Sequence, residues 1–155
     1  FSSDVMLKQA PRVIEKEWLD VFFRFKASIV KCPYCKQETF ITQQGDNTCI
    51  ECKKKITVPN AIQFSTVTVP LYPGTKLMMW HADSSQNDVE TKLGEIVANP
   101  SNPNMFGIKN LSTLSWKVNL PDGSQKPLAP GAVVPVKKDF TIECTTNPKD
   151  AGKII

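Results

Sequence analysis

Apolar side chains recur at Ile14, Trp18, Val21, Phe22, Phe25 and Ile29. This spacing of three and four puts them on one side of a helix and predicts a helix over 13–29. Glu15, Glu17 and Asp20 come early in it and Arg24 and Lys26 late, the order that the helix dipole favours. A face with one indole and two phenyl rings is too apolar to stand free in water. It has to pack on the structure that follows, on a second copy, or on another portion of a longer parent chain.

From Gln63 onward the period shortens to that of strands, and turn residues arrive every ten positions or so, the pattern of an all-β sandwich. Strands are expected at 63–69, 76–81, 93–99, 106–110, 115–120, 132–136 and 140–144. Alternation is cleanest at Trp116, Val118 and Leu120 and at Phe140, Ile142 and Cys144, which are assigned to the buried face. Pro121-Asp122-Gly123 and Ala129-Pro130-Gly131 are turns, because Pro fixes φ and Gly accepts a positive φ. The polar stretches 83–91 and 99–104 are expected as exposed loops, and 149–155 as a frayed tail.

Composition narrows the class. The chain has 155 residues, 41% hydrophobic and 22% charged, which suits a small module joined to a compact domain and argues against bulk disorder. A formal net charge of +4 is too mild to announce a nucleic-acid binder. Lys31, Lys36, Lys53, Lys54 and Lys55 do gather near the cysteines, so a nucleic-acid-binding zinc ribbon with an accessory sandwich is the alternative reading. No apolar stretch reaches the roughly 20 residues of a membrane span. Five cysteines, an odd number, fit a reducing, cytoplasmic setting in which Cys144 stays a free thiol.

The chemistry lies in two matching clips, Cys32-Pro33-Tyr34-Cys35 and Cys49-Ile50-Glu51-Cys52, separated by thirteen residues. Each clip turns two sulfurs toward one point, and two clips complete the four-thiolate shell of tetrahedral zinc. Between them, residues 38–43 read as a strand and Gly45-Asp46-Asn47 as a turn. With four cysteine ligands no position is open to water, so the zinc is expected to be structural. The competing readings are two disulfides or a redox Cys-x-x-Cys, and no βαβ pattern surrounds either clip. His81 is the lone histidine and is read as a packed or surface residue rather than a catalyst. Cys144 is read as inert, and no catalytic residue is assigned.

Two resemblances follow from longer strings. Gly107-Ile108-Lys109-Asn110-Leu111-Ser112, Trp116-Lys117-Val118, Pro121-Asp122-Gly123, Leu128-Ala129-Pro130-Gly131 and Phe140-Thr141-Ile142 resemble the back half of a forkhead-associated (FHA) sandwich. The front half lacks the family's Gly-Arg pair and Ser-x-x-His element, where Gly74-Thr75-Lys76, His81 and Ser84-Ser85 stand instead. The resemblance therefore implies the fold, and no phosphothreonine ligand is carried over. Pro11-Arg12-Val13-Ile14 with Glu17-Trp18-Leu19 is similar to the end of the catalytic lobe of bacterial Hanks-type serine/threonine kinases. In some of these the last helix runs into a cysteine knuckle and a β domain. In such kinases Arg12 would pair with a carboxylate of the activation segment, while the plain alternative is a solvated Arg at a helix start.

The stretch holds no Gly-rich nucleotide loop, His-Arg-Asp or Asp-Phe-Gly, so it is expected to be non-catalytic. The expectation is a mainly β chain: an N-terminal helix (1–30), a four-cysteine zinc ribbon (31–60), an FHA-like antiparallel β-sandwich (61–148) and a tail (149–155). Its role would be regulatory, docking a protein partner or the parent kinase domain, with no membrane contact.

Overall fold

The computed structural model describes residues 14–42, 47–57, 60–83, 85 and 88–155. Pro11, Arg12, Val13, Gln43, Gly45, Asp46 and Ser84, invoked above, lie outside them.

The chain is mainly β, and its strands pair antiparallel throughout the described residues. Helix α1 spans Glu15–Ala27, and its first turn is closed by the Ile14 N–H donating to the Glu17 carboxylate at 2.9 Å. A two-stranded hairpin follows, β1 (Ile29–Lys31) with β2 (Glu38–Phe40). Two larger sheets make up the rest. One has six strands: β3 (Ala61–Gln63), β4 (Thr68–Pro70), β8 (Trp116–Asn119), β9 (Gln125–Leu128), β11 (Thr141–Glu143) and β12 (Gly152–Ile154), in the order β4-β3-β12-β11-β8-β9. The other has four: β5 (Lys76–Met78), β6 (Lys92–Asn99), β7 (Asn102–Asn110) and β10 (Val133–Pro135), in the order β10-β7-β6-β5.

The two sheets share one core. Leu77, Leu93, Ile96, Ile108 and Val134 from the four-stranded sheet meet Ile62, Val69, Trp116, Val118, Ile142 and Ile154 from the six-stranded one, the arrangement of a sandwich. Three of the four outer strands, β4, β9 and β10, carry a proline. That residue removes an N–H from the free edge and discourages further pairing.

The expected alternation holds in the middle of the chain: Trp116, Val118, Phe140, Ile142 and Cys144 are buried, and Leu120 is half-buried. Both turns form as read, with Gly123 at φ 83° and Gly131 at φ 78°. Asn110, fully buried at the end of β7, donates to the carbonyls of Leu114 and Leu128 and accepts from the Ser112 N–H and hydroxyl. Its amide thus ties the β7–β8 loop to β9.

Several expectations are corrected. The strand at 63–69 is two strands, β3 and β4, folded back so that the Phe64 N–H donates to the Val67 carbonyl at 2.9 Å. The strand at 76–81 ends at Met78, and Met79–Ala82 coil into a short helix, α2, because the His81 ring accepts from the Met78 N–H and caps the turn. Part of the loop expected at 99–104 belongs to β7, which starts at Asn102 and pairs with β6. Strand β9 lies in a stretch given no strand above, between the two turns that were read. The largest correction is at 149–155. This segment is no frayed tail, since it forms β12 between β3 and β11, with Ile154 at 0% exposure.

Helix α1 forms as expected but packs through a different face. Phe23 stacks on Trp80 with ring centroids 4.7 Å apart, Ala27 enters the sandwich core, and Arg24 Nε donates to the Thr66 carbonyl. The stripe chosen from periodicity is 52–60% exposed at Ile14, Trp18, Val21, Phe22 and Phe25, and its last member, Ile29, is half-buried in β1 because the helix ends at Ala27. Periodicity finds the most apolar face, whereas the core takes the face whose shape fits. Here a small Ala27 lets the helix approach closely while Phe23 covers an indole.

Glycine is required where the sheets meet. A Cβ at Gly94 would lie 2.7 Å from Trp116 Cη2 and 2.9 Å from the Lys109 carbonyl oxygen, inside van der Waals contact. Gly94→Val should destabilise the sandwich by about 2 kcal/mol or more, an overpacking penalty, read as a lower urea midpoint with little change in slope.

Candidate metal centre

The clips build the same turn twice. In the first, the Lys36 N–H donates to the Cys32 carbonyl at 3.0 Å and the Cys32 N–H to Gln37 at 2.8 Å; in the second, the Lys53 N–H donates to Cys49 at 3.1 Å and the Cys49 N–H to Lys54 at 3.0 Å. Both turns end on a lysine at positive φ, Lys36 at 64° and Lys53 at 58°. This left-handed conformation is uncommon outside glycine. Each of these lysines folds its ammonium group back onto its own knuckle, Lys36 to the Pro33 carbonyl and Lys53 to the Ile50 carbonyl. Lys54 sits 4.9 Å from the centre of the Tyr34 ring.

These turns bring Cys32, Cys35, Cys49 and Cys52 together with their four sulfurs within 4.8 Å of one another. Cys32 and Cys52 are 3.7 Å apart and Cys35 and Cys49 3.6 Å. A tetrahedral ion with bonds of about 2.3 Å to sulfur sets its ligands about 3.8 Å apart, so these separations match its edges. They are too long for disulfides, and all four cysteines are free. The site is compatible with a metal ion.

The local dipoles suit thiolates. The Cys49 sulfur receives the Cys52 N–H, outweighing burial, and with the Glu51 N–H it is brought down to about 6. Burial pushes Cys32 up, but the N–H groups of Cys35 and Tyr34 together pull it below its ordinary value. Cys35 accepts from the Gln37 N–H, yet burial and the other three sulfurs hold it up at about 11. A metal cation is the group that lets four such sulfurs ionise side by side.

The cysteines also carry a small core of their own. Val30, Ile41 and Ile56 pack with Cys32 and Cys49, and Tyr72 of the sandwich touches this cluster. Thr39, buried between the clips, receives the Ile50 N–H on its hydroxyl.

The remaining candidates separate. His81 is buried, and burial followed by the charge of Lys26 holds it at about 3, so the ring is neutral. Cys144 is buried 92 positions beyond the nearer clip, and burial, then the Asp150 carboxylate, pushes its thiol up to about 12. It stays protonated and unreactive. Sequence reasoning missed that His81 and Trp80 sit side by side at a cavity under α1. No spacing rule signals it, because the walls come from six separate elements, α1, β1, β2, β4, β5 and α2.

Among the described residues, no helix is long and apolar enough to cross a membrane. The chain matches no protein-family model, no curated protein and no solved structure.

Proposed function

We propose that this chain is a non-catalytic docking region of a bacterial-type serine/threonine protein kinase, in which a structural zinc ion joins a helix to an FHA-like sandwich. Zinc is the choice among metals because four thiolates at tetrahedral spacing suit it and leave no open coordination position. The observation that carries the docking role is the double-sided helix. One face of α1 is fixed to the sandwich by Phe23 and Ala27, and the other presents Trp18, Val21, Phe22 and Phe25 to solvent. Phe25 continues onto Phe40 of β2, with ring centroids 4.9 Å apart. A contiguous apolar patch of this kind marks an interaction surface, and the resemblance of 11–19 to the end of a kinase lobe supports the parent's catalytic lobe as the partner.

Three of the five lysines near the cysteines give the nucleic-acid alternative no support. Lys36 and Lys53 hold knuckle carbonyls and Lys54 lies over Tyr34, an arrangement that offsets the negative charge of a four-thiolate site.

Phe22→Asp tests the docking role. In the isolated chain it should change stability by less than about 0.5 kcal/mol, as for an exposed position. In the chain extended upstream through its reading frame it should release the sandwich from a catalytic lobe, seen as independent tumbling in solution. An upstream frame with no kinase lobe, or a Phe22→Asp chain that unfolds by itself, would overturn the proposal.

A further inference from the structure

Strand β5 is the one outer strand of the sandwich without a proline, so its edge lacks the device that blunts the other three. On its inner side the Ile96 N–H donates to the Thr75 carbonyl at 2.9 Å, and Lys76 stands opposite Glu95. Bonded and non-bonded pairs alternate in an antiparallel ladder, so the Lys76 N–H and carbonyl point away from β6.

The hairpin presents a second edge of the same kind. The Ile41 N–H donates to the Ser28 carbonyl and the Cys32 N–H to the Gln37 carbonyl, both at 2.8 Å. Ile29 and Lys31 therefore occupy the positions whose backbone groups turn away from β2. Among the described residues, nothing is hydrogen-bonded to the outward N–H and carbonyl groups of Ile29, Lys31 and Lys76. All three residues line one cavity of about 250 Å³, with Ile29, Pro73 and Met78 as its half-buried apolar wall.

We propose that this cavity is a β-augmentation site, which takes an extended segment of a partner protein between β1 and β5. The free backbone groups decide the occupant. A strand carries donors and acceptors on both of its edges, so one extended segment serves the hairpin and the sandwich together, whereas a helix has its backbone bonds already satisfied. Side chains of the segment that point inward meet the apolar wall. Those that point outward meet Lys31 and Lys76, against the single carboxylate of Glu38, so the segment is one that alternates apolar and acidic residues. Lys26 also lines the cavity but lies over the Trp80 ring, 5.8 Å from its centre, and is given no part. The inference does not depend on the kinase reading, because the docking face proposed for that role is the exposed stripe of α1 and every group used here lies elsewhere.

The test titrates a capped five-residue peptide of alternating glutamate and valine into the protein, followed by the backbone amides of Ile29, Lys31 and Lys76 in ¹H–¹⁵N NMR. Saturable shifts and slower solvent exchange at those amides are expected. The same peptide with every backbone nitrogen methylated should not bind, and its lysine-for-glutamate counterpart should bind several-fold more weakly. Lys76→Pro removes the outward N–H without touching the β5–β6 ladder, so Kd should rise by up to about tenfold while the urea midpoint stays close to that of the parent chain. Absence of a saturable shift with the acidic peptide would overturn the site. Equal binding of the methylated peptide would overturn strand pairing even if Lys76→Pro failed to fold, and equal binding of the lysine peptide would overturn the acidic partner.

Discussion

Stripping the metal with a chelator should unfold the cysteine segment, from the β1–β2 hairpin to about residue 57, and leave the two-sheet core standing. The apolar part of its private cluster is Val30, Ile41 and Ile56, worth about 2 kcal/mol each when buried. Ordering the whole segment opposes this by more than ~1 kcal/mol per residue, so the side chains alone cannot hold it. Metal binding to a four-thiolate site contributes something like 10 kcal/mol, which reverses the balance. The sandwich has a separate core built on Trp80, Trp116 and the aliphatic residues of both sheets. In an amide NMR spectrum, the resonances of 31–42 and 47–57 should collapse on chelation while those of β6, β7 and β8 persist. Elemental analysis should find one zinc per chain. A metal-free protein, or a spectrum indifferent to chelator, would remove the metal and the ribbon with it.

Deleting residues 149–155 should abolish the sandwich altogether, although the segment reads from sequence as a dispensable end. Strand β12 is inserted between β3 and β11, and the Ile154 N–H and carbonyl are bonded to Phe140 and Asp139. The next residue exchanges both of its backbone bonds with Ala61, at 2.9 and 3.2 Å. Removing the strand splits the six-stranded sheet and opens the core where Ile154 lay. A milder pair of variants separates this from a general truncation effect. Ile154→Ala should cost about 2–5 kcal/mol as a core cavity, whereas Ile155→Ala, at a position 38% exposed, should cost less than about 1 kcal/mol. Equal denaturation midpoints for the two would contradict the buried placement of β12.

The contrast between these two regions shows what can be read along a chain. Each cysteine clip closes within four residues and is fixed by hydrogen bonds of its own, Lys36 to Cys32 and Lys53 to Cys49, so its spacing carries its geometry. Strand β12 has three residues and no periodicity to detect. Its neighbour β3 lies some ninety positions earlier, and Gly152 belongs there because Ile62 and Phe64 leave no room for a Cβ. The turn of α2 was hidden for a related reason: Met78, Met79 and Trp80 read as strand, and the local cap supplied by the His81 ring outcompeted that preference.

By itself the sequence determined the helix, the clustering of four sulfurs, the alternation of the central strands and the glycine turns, because each depends on neighbours a few residues apart. Tertiary structure alone decided which face of α1 meets the core, where the last strand inserts, and that Trp80, His81 and three lysines converge on one cavity. Those outcomes rest on shape and pairing between distant segments, and a local pattern of polar and apolar residues does not encode which distant surface will fit.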